Sequence, residues 1–431
     1  MKALSKLALA VALTTGVSGV ALTAPAAAQK KKEEVKPGLK LSPAVTKVAG
    51  PAQTALAAND LVTAEPAVVQ VEAAATTADE KYVASILRYD LEQRRIMNGQ
   101  RANPNAPVNE TALAGPLDAL IANPSTPAAD KGKYAYRRGA LAYNGKQYPI
   151  AIQYFTQARQ LGHPEPALGL QLAQAKVLSG DVAGGLADLD ADVTRQTAAG
   201  QKPSEDLYRF GIARANQAKL VPQTITWMQR YVAAYPTAKN WRDVIVTYGL
   251  SGQSIAKLTE PQQLDLLRLM RATRSMADQN DYVEYAVNAQ KRGLPIETQA
   301  VLREGTASGK IPAGNTEAKA LLTEATAQAK AEAPIAQQET RANAAANGKL
   351  AASTADVYLG MDNFAKAAAM YRVALQKGGV DADEINTRLG IALARSGDKA
   401  GAKAAFAAVQ GAPRSGIAAL WTTYVDAAPV A

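Results

Sequence analysis

The 431-residue sequence contains no cysteine, one histidine and only four phenylalanines and three tryptophans. Without cysteine, disulfides and thiolate-bound zinc or iron–sulfur clusters are excluded. The single histidine, His163, stands in Leu161-Gly162-His163-Pro164, a run typical of a turn. Histidine-dependent nucleophile systems are therefore excluded unless His163 is the base. The sequence predicts no metal site and no cofactor.

Phosphate-binding loops are missing as well. There is no G-x-x-x-x-G-K-[ST] pattern and no G-x-G-x-x-G after a predicted strand. Two carboxylates would suffice for glycoside hydrolysis, and the densest acidic cluster is Asp188, Asp190 and Asp192. On a helix, Asp188 and Asp192 share a face while Asp190 points elsewhere. We interpret this cluster as a solvated face and predict that the chain has no catalytic residues and is not an enzyme.

The N-terminal 28 residues have the pattern of a secretory signal peptide. Lys2 and Lys6 precede an apolar run, and small residues lead up to Ala28, after which we expect cleavage. The apolar run is shorter than the roughly 20 residues that cross a bilayer. Cleavage would remove two lysines, and therefore two units from the formal net charge of +10. We expect a periplasmic or secreted protein with no transmembrane segment after cleavage.

A pattern of small and large residues recurs along the rest of the chain. One copy contains Gly139, Ala142, Tyr148, Ala151, Phe155 and Ala158, and the next, 34 residues on, contains Ala173, Lys176, Val182, Gly185, Leu189 and Asp192. Further copies contain Gly211, Leu220 and Trp227; Trp241, Val244, Ile245 and Tyr248; Ala286, Thr298, Leu302 and Gly305; Ala355, Tyr358, Phe364, Ala367, Tyr371 and Ala374; and Leu389, Gly390, Leu393, Gly397, Ala402, Phe406 and Val409. A weaker copy contains Ala52, Leu61, Ala64 and Val68.

This alternation is what two crossing antiparallel helices require, because small side chains let the backbones approach and large ones fill the remaining space. The pattern resembles the tetratricopeptide repeat (TPR). The chain as a whole also resembles uncharacterised secreted TPR proteins of Gram-negative alphaproteobacteria. The resemblance implies an all-α fold, a right-handed α-solenoid of TPR-like helix-turn-helix repeats with a concave face. Strand signals are scarce, which agrees with that expectation.

The repeat frame predicts the organisation of the chain. We expect a signal peptide over 1–28, a charged flexible linker over 29–41, degenerate TPR-like hairpins over 42–130, a TPR-like array over 131–311, long Ala-rich helices over 312–348, and TPR-like repeats with a capping helix over 349–431. Two segments, 78–130 and 312–348, fit no clean copy. Both degenerate repeats and inserted helices remain open for them.

The TPR resemblance also implies where a ligand would bind, because the concave groove of the family is lined by the first helix of each repeat. Transferring those positions gives the candidate groove residues Lys133, Tyr136, Tyr143, Asn144, Gln174, Tyr208, Asn216 and Arg242. Lys133 and Asn144 supply half of the family's carboxylate clamp, but Gln174 and Val177 in the next copy do not complete it. Tyrosine at helical spacing also serves as packing between repeats.

The function expected from these features is that of a non-catalytic exported scaffold or adaptor. It would bind a protein or peptide partner, and no nucleic acid, in the concave groove, in cell-envelope assembly. Two alternatives remain open: a protein that binds or acts on cell-wall glycan, and a periplasmic chaperone-like holder. A holder would need a broad apolar groove, whereas a narrow polar groove would favour one specific partner.

Overall fold

The computed structural model describes residues 38–105 and 108–427, and all of their regular secondary structure is helical. The predicted signal peptide and most of the predicted linker lie outside the described residues. The chain divides into two compact units, residues 1–84 and 85–431, with the boundary inside the third helix. None of the described helices is both long and apolar enough to cross a membrane.

The first unit is a helical hairpin followed by the start of a long helix. Its elements are α1 (Pro43–Ala57), α2 (Leu61–Ala74) and the beginning of α3 (Ala78–Ala102). The buried carboxylate of Glu80 accepts hydrogen bonds from the backbone N–H groups of Ser42 at 3.0 Å and of Thr76 and Thr77 at 2.9 Å. The Ser42 side chain and these backbone donors hold the pKa of Glu80 well below its usual range. One side chain thereby joins the beginnings of α1 and α3.

The second unit contains eighteen further helices among its described residues. They are α4 (Ala114–Ala122), α5 (Ala128–Asn144), α6 (Tyr148–Gln160), α7 (Leu168–Leu178), α8 (Val182–Ala198), α9 (Glu205–Gln217), α10 (Val221–Ala234), α11 (Ala238–Ile245), α12 (Glu260–Ala272), α13 (Gln279–Lys291), α14 (Pro295–Ala307), α15 (Thr316–Ala331), α16 (Ile335–Ala344), α17 (Lys349–Gly360), α18 (Phe364–Lys377), α19 (Ala382–Ser396), α20 (Lys399–Ala407) and α21 (Arg414–Asp426). Six pairs form hairpins: α5/α6, α7/α8, α9/α10, α13/α14, α17/α18 and α19/α20.

Three of the six hairpins owe their close crossing to a glycine that faces an aromatic ring. A Cβ atom on Gly139 would lie 2.6 Å from the ring of Phe155, one on Gly211 would lie 2.5 Å from Trp227, and one on Gly390 would lie 2.3 Å from Phe406. Each ring follows its glycine by 16 residues. The same spacing places Leu189 after Ala173, Leu302 after Ala286 and Tyr371 after Ala355. The prediction of an all-α, TPR-like solenoid is therefore confirmed.

The predicted repeat at Trp241 to Tyr248 is wrong as a hairpin. Helix α11 ends in a π-helical turn (Val246–Leu250), and an irregular segment then leads to α12. Trp241 and Tyr248 are buried as the pattern predicted. The hydroxyl of Tyr248, however, donates to the carbonyl of Pro413, far along the chain. Tyr248 therefore serves a contact with the C-terminal region.

The Ala-rich segment 312–348 is an insertion between two hairpins, α13/α14 and α17/α18, that pack directly on each other. Helix α14 contacts α17, and a Cβ atom on Gly360 would lie 2.8 Å from the Cβ of Glu297. Helix α15 packs on α13 and α14, whereas α16 packs on α17. Of the residues in α15, Ala318 and Ala325 are buried. The arrangement is that of inserted helices and not of a degenerate hairpin.

The predicted capping helix reaches beyond the last hairpin. Helix α21 packs on α19 and α20, and also on α10 and α12. The side chain of Gln229 on α10 donates to the carbonyl of Ala419 at 3.0 Å, and the indole N–H of Trp421 donates to the carbonyl of Asp265 at 3.1 Å. These contacts make residues 221–426 one packed body, which we call the C-terminal body. Helix α21 covers the sides of α10 and α12 that it contacts.

A buried carboxylate on α12 joins three arginines at the centre of this body. Asp265 is fully buried, and its oxygens lie 2.9 Å from Arg268 Nη1, 3.2 Å from Arg388 Nε and 2.7 Å from Arg414 Nη1. Helices α12, α19 and α21 each supply at least one of these groups. A buried charge is tolerated only when it is paired and hydrogen-bonded. The three arginines therefore tie α19 and α21 to α12.

Two further buried carboxylates complete the network. Glu297 accepts two hydrogen bonds from Arg268, at 2.8 and 2.7 Å, and one from the hydroxyl of Tyr285 at 2.8 Å. Asp356 accepts from Arg388 at 2.9 Å and from the hydroxyl of Tyr371 at 2.6 Å. The network thus extends from α12 to α14 and α17 as well.

This network makes the stability of the protein sensitive to acid. Burial alone would raise the pKa of Asp265, but Arg388, Arg268 and Arg414 lower that pKa below its ordinary value of 3.8. Arg268 likewise lowers the pKa of Glu297 below 4.5, against the effect of burial. Both carboxylates therefore contribute stability above these ordinary values, and the contribution is lost as pH falls through the lower folded-state values.

We expect the urea midpoint of unfolding to fall steadily between about pH 5 and about pH 3. The measurement is a series of urea titrations followed by tryptophan fluorescence. The variant Asp265→Asn should show a shallower decline over the same range, because it has lost one of the titrating groups. A wild-type midpoint that stays constant down to pH 3 would contradict the assignment of these charges.

Candidate partner-binding face

The first helices of three successive hairpins, α5, α7 and α9, bring several predicted groove residues together. The hydroxyl of Tyr143 on α5 donates to the side-chain oxygen of Gln174 on α7 at 3.3 Å. Asn144 on α5 and Asn216 on α9 stand at corresponding positions of their hairpins, and both are exposed. We call this surface the first-helix face and define it by Lys133, Tyr136, Tyr143, Asn144, Gln174 and Asn216.

Tyr143 is a half-buried tyrosine held between other rings. It meets Tyr148 edge-on with ring centroids 5.9 Å apart, and its centroid is 6.4 Å from that of Phe155. Burial and the neighbouring Tyr148 raise the pKa of Tyr143, and the charge of Arg214 only partly opposes them. The phenol therefore stays neutral at physiological pH and keeps its proton as a hydrogen-bond donor.

Tyr136 occupies the other end of α5 on the same face. Its ring lies 5.8 Å from that of Phe155 and 5.1 Å from the imidazole of His163. Burial raises the pKa of Tyr136, Glu165 raises it further, and a hydrogen bond with the side chain of Gln171 opposes them. The side-chain oxygen of Gln171 is buried and accepts no hydrogen bond from the described residues. Because Gln171 is only 4% exposed, this oxygen offers no surface to a ligand.

Three predicted residues lie exposed around these tyrosines. Lys133, Asn144 and Asn216 are all exposed. Among the described residues, Lys133 has no carboxylate within ion-pair distance. Within residues 38–105 and 108–427, their amide and ammonium groups make no side-chain hydrogen bond or ion pair that a ligand would have to break. The face consequently combines aromatic surface, amides and positive charge.

Two predicted residues do not belong to this face. Tyr208 is 3% exposed and packs among Trp227, Tyr231 and Tyr235 at centroid distances of 6.0 to 6.3 Å. Arg242 is engaged by Asp281, with Nη2 at 2.8 Å and Nε at 3.0 Å from the carboxylate oxygens. Tyr208 therefore offers almost no surface to a ligand, and Arg242 already has a bidentate partner.

Sequence reasoning missed Gln171 and Arg214, because the transferred groove positions do not include them. A signal for Arg214 was present in the repeat frame. Lys176 and Arg214 both stand three residues after the small packing residue of their helices, Ala173 and Gly211. The structure shows that the two cations differ in their contacts, because Lys176 lies 2.7 Å from Asp188 whereas Arg214 donates to the side chain of Gln217 at 2.8 Å.

The acidic cluster on α8 is engaged by cations. Asp188 lies 3.2 Å from Arg159 and 2.7 Å from Lys176, and Asp190 pairs with Arg230. Asp192 pairs with Arg195 but is only 6% exposed, so its interpretation as part of a solvated face is wrong. It is drawn inward because Gly169, on α7, leaves room for its carboxylate. Within residues 38–105 and 108–427, no group of three or more acidic or histidine side chains is arranged to hold a metal ion.

No protein-family model matches the sequence, and no curated protein matches it. Among solved structures, the chain aligns with the TPR domain of P58(IPK) at 12% identity and a TM-score of 0.21, covering 85% of this chain and 82% of that one. It aligns with the maize pentatricopeptide repeat protein PPR10 at 13% identity and a TM-score of 0.28, covering 87% and 61%. The apo form of RapI aligns at 11% identity and a TM-score of 0.17, covering 77% and 97%.

At TM-scores this low, the alignments do not establish a common arrangement of the whole chain. The TPR-like character rests on the hairpins themselves and on the pairing of a small residue with a large one 16 positions later. Both features are observed in the packing of this chain, and neither depends on its similarity to other proteins.

Proposed function

We propose that this protein is a non-catalytic scaffold or adaptor that binds a protein or peptide partner on its first-helix face. The observation that carries the proposal is the combination of half-buried tyrosines with exposed polar groups on the same helices. Tyr136 and Tyr143 supply rigid apolar surface, and Lys133, Asn144 and Asn216 are exposed. Such a surface suits an extended peptide, because rings provide contact area while amides bind its backbone.

The closed C-terminal body supports placing the partner on α5, α7 and α9. Helix α21 covers α10 and α12, and Arg414 at its start is buried against Asp265. A ligand at that position would have to displace a helix that is part of the core. The first-helix face has no helix of this kind packed across it among the described residues.

We further propose that the protein acts after export, in the periplasm or outside the cell, in assembly of the cell envelope. The signal-peptide pattern before Ala28 supports export. The polar character of the first-helix face favours a specific partner over the general holding of unfolded chains, which would require exposed apolar surface.

A crosslinking pull-down with the chain from Gln29 onward tests this proposal. The bait is incubated with a cell-envelope extract of the source organism, beside the variant Asn144→Arg/Asn216→Arg. Both asparagines are exposed, so the variant should fold while it blocks the face. We expect a discrete partner whose recovery falls by about tenfold or more with the variant, as for loss of an interface hot spot.

The matched control is Thr323→Arg/Gln337→Arg, which adds the same charge at exposed positions on α15 and α16. It should recover the partner as well as the wild type does. Equal recovery by both double variants would rule out the first-helix face as the binding surface. Equal loss in both would show that added positive charge, and not the face, disturbs binding.

A further inference from the structure

Helix α2, in the first unit, is apolar on two opposite faces. One face packs on α1 and buries Ala64, Val68 and Val71. On the other face stand Val62 and Val69, of which 88% and 48% are exposed. A helix that is apolar all round is ordinarily buried all round. Helix α2 therefore has one apolar face more than α1 can cover.

The exposed apolar residues of α2 form a continuous stripe. Pro66 and Ala73 are exposed as well as the two valines. At 3.6 residues per turn, these four positions lie within about 60° of one another around the helix. We call Val62, Pro66, Val69 and Ala73 the α2 stripe. Its centre lies opposite the residues that pack on α1, so the stripe takes no part in the hairpin.

No other helix among the described residues has two large exposed hydrophobic side chains within its bounds. The remaining large exposed hydrophobics stand singly on other helices or in connecting segments, and they are Val108, Leu161, Leu178, Val221, Leu350 and Met361. The exposed side of α1 carries Thr46, Lys47 and Thr54 instead. Single exposed hydrophobics are ordinary, whereas adjacent ones rimmed by polar residues are typical of an interaction surface.

One edge of the α2 stripe is acidic. Glu65 and Glu72 are exposed along this edge, whereas Thr63 and Gln70 follow the other edge. Helix α2 contains no lysine or arginine. A second copy of α2 packed on the stripe would therefore bring no cation to the acidic edge. A helix with an apolar side flanked by lysine or arginine would complement both the valines and the glutamates.

We infer that the α2 stripe binds an amphipathic helix of a partner protein whose apolar side is flanked by basic residues. Binding would remove the two exposed valines from water, which supplies affinity. The acidic edge would select the basic helix and fix its orientation. The α2 stripe shares no residue with the first-helix face, so the inference goes beyond the proposed function and its test is independent of it.

The test uses fluorescence anisotropy with the chain from Gln29 onward and a dye-labelled peptide of repeated Leu-Lys-Lys-Leu-Leu-Lys-Lys heptads. A second peptide has glutamate in place of every lysine. We expect the glutamate peptide to bind at least about tenfold more weakly than the lysine peptide. Val62→Gln/Val69→Gln should raise the Kd for the lysine peptide by about tenfold. Glu65→Gln/Glu72→Gln should also raise this Kd, and by less at high salt.

Leu178→Gln/Leu350→Gln is the matched control. These leucines are 48% and 39% exposed and stand singly on α7 and α17, so the same type of change is made outside the stripe. The Kd for the lysine peptide should stay within about twofold of the wild-type value. Thermal melts by circular dichroism confirm that each variant is folded.

Equal affinity of wild-type protein and Val62→Gln/Val69→Gln for the lysine peptide would overturn the inference, as would equal binding of the two peptides. Sedimentation velocity of the free proteins tests the other occupant, a second copy of the chain. We expect the wild type and Val62→Gln/Val69→Gln to sediment alike. A wild-type dimer that this variant converts into a monomer would place a second copy on the stripe and would also overturn the inference.

Discussion

Replacing Asp265 with alanine is expected to lower the free energy of unfolding by about 3–5 kcal/mol. The substitution leaves the buried guanidinium groups of Arg268, Arg388 and Arg414 without the carboxylate that all three share. An unpaired charge in the interior is far more costly than loss of the pair as a whole. Chemical unfolding followed by tryptophan fluorescence measures the effect, since Trp421 donates to the backbone of Asp265.

The control is Asp243→Ala, which removes the partner of Lys239. That ion pair is exposed, with 70% and 49% of the two side chains accessible, so its loss should cost less than about 1 kcal/mol.

Hydrogen exchange of backbone amides is a second measurement on the Asp265 variant. Amides of α21 should lose protection before those of α5 and α6, because the network ties α21 to α12. Comparable destabilisation by the two alanine variants would contradict the structural role assigned to Asp265.

Replacing Phe155 with alanine is expected to cost about 3–5 kcal/mol. Its ring is fully buried, packs on Gly139 and contacts Tyr136 and Tyr143, so truncation leaves a cavity within the hairpin α5/α6. Far-UV circular dichroism is the appropriate probe in urea, because the hairpin α5/α6 contains no tryptophan. Leu161→Ala, at a 36% exposed position close by, should change the unfolding free energy by less than about 1 kcal/mol.

The packing of Phe155 on Gly139 makes a sharper double-mutant prediction. Gly139→Ala alone should destabilise the protein by about 1–3 kcal/mol, because the added Cβ would lie 2.6 Å from the ring. In the Phe155→Ala background the ring is gone, and the same change should stabilise by up to about 1 kcal/mol through helix propensity. Gly99→Ala, on an open part of α3, should stabilise in either background. A Gly139→Ala effect of the same sign in both backgrounds would contradict this packing.

The sequence alone determined the fold class, because the information for it is local. Small and large residues recur at fixed spacings, and Asp181, Asn363 and Asp398, residue types that favour the N-cap position, cap α8, α18 and α20. The absence of cysteine and the single histidine likewise limited the chemistry without any coordinates. The sequence also pointed to Tyr136, Tyr143, Gln174 and Lys133, four residues that the structure brings onto one face.

Only the tertiary structure decided which cations are already paired. Arg242 and Arg214 look alike in sequence, yet Arg242 meets Asp281, 39 residues away, and Arg214 meets no carboxylate among the described residues. Tyr208 and Tyr143 both occupy transferred groove positions, but the rings around Tyr208 leave it 3% exposed. Pairing and burial depend on contacts between distant segments, which the repeat spacing does not encode.

The repeat pattern also did not predict that α21 returns to pack on α12. Asp265 lies 149 residues from Arg414 in sequence, and their 2.7 Å contact exists only because α21 returns to α12. Helical periodicity fixes which side chains share a face of one helix, whereas the partner of that face is set by the path of the whole chain. The sequence thus determined the hairpins, and the tertiary structure decided which of their surfaces remain open to a partner.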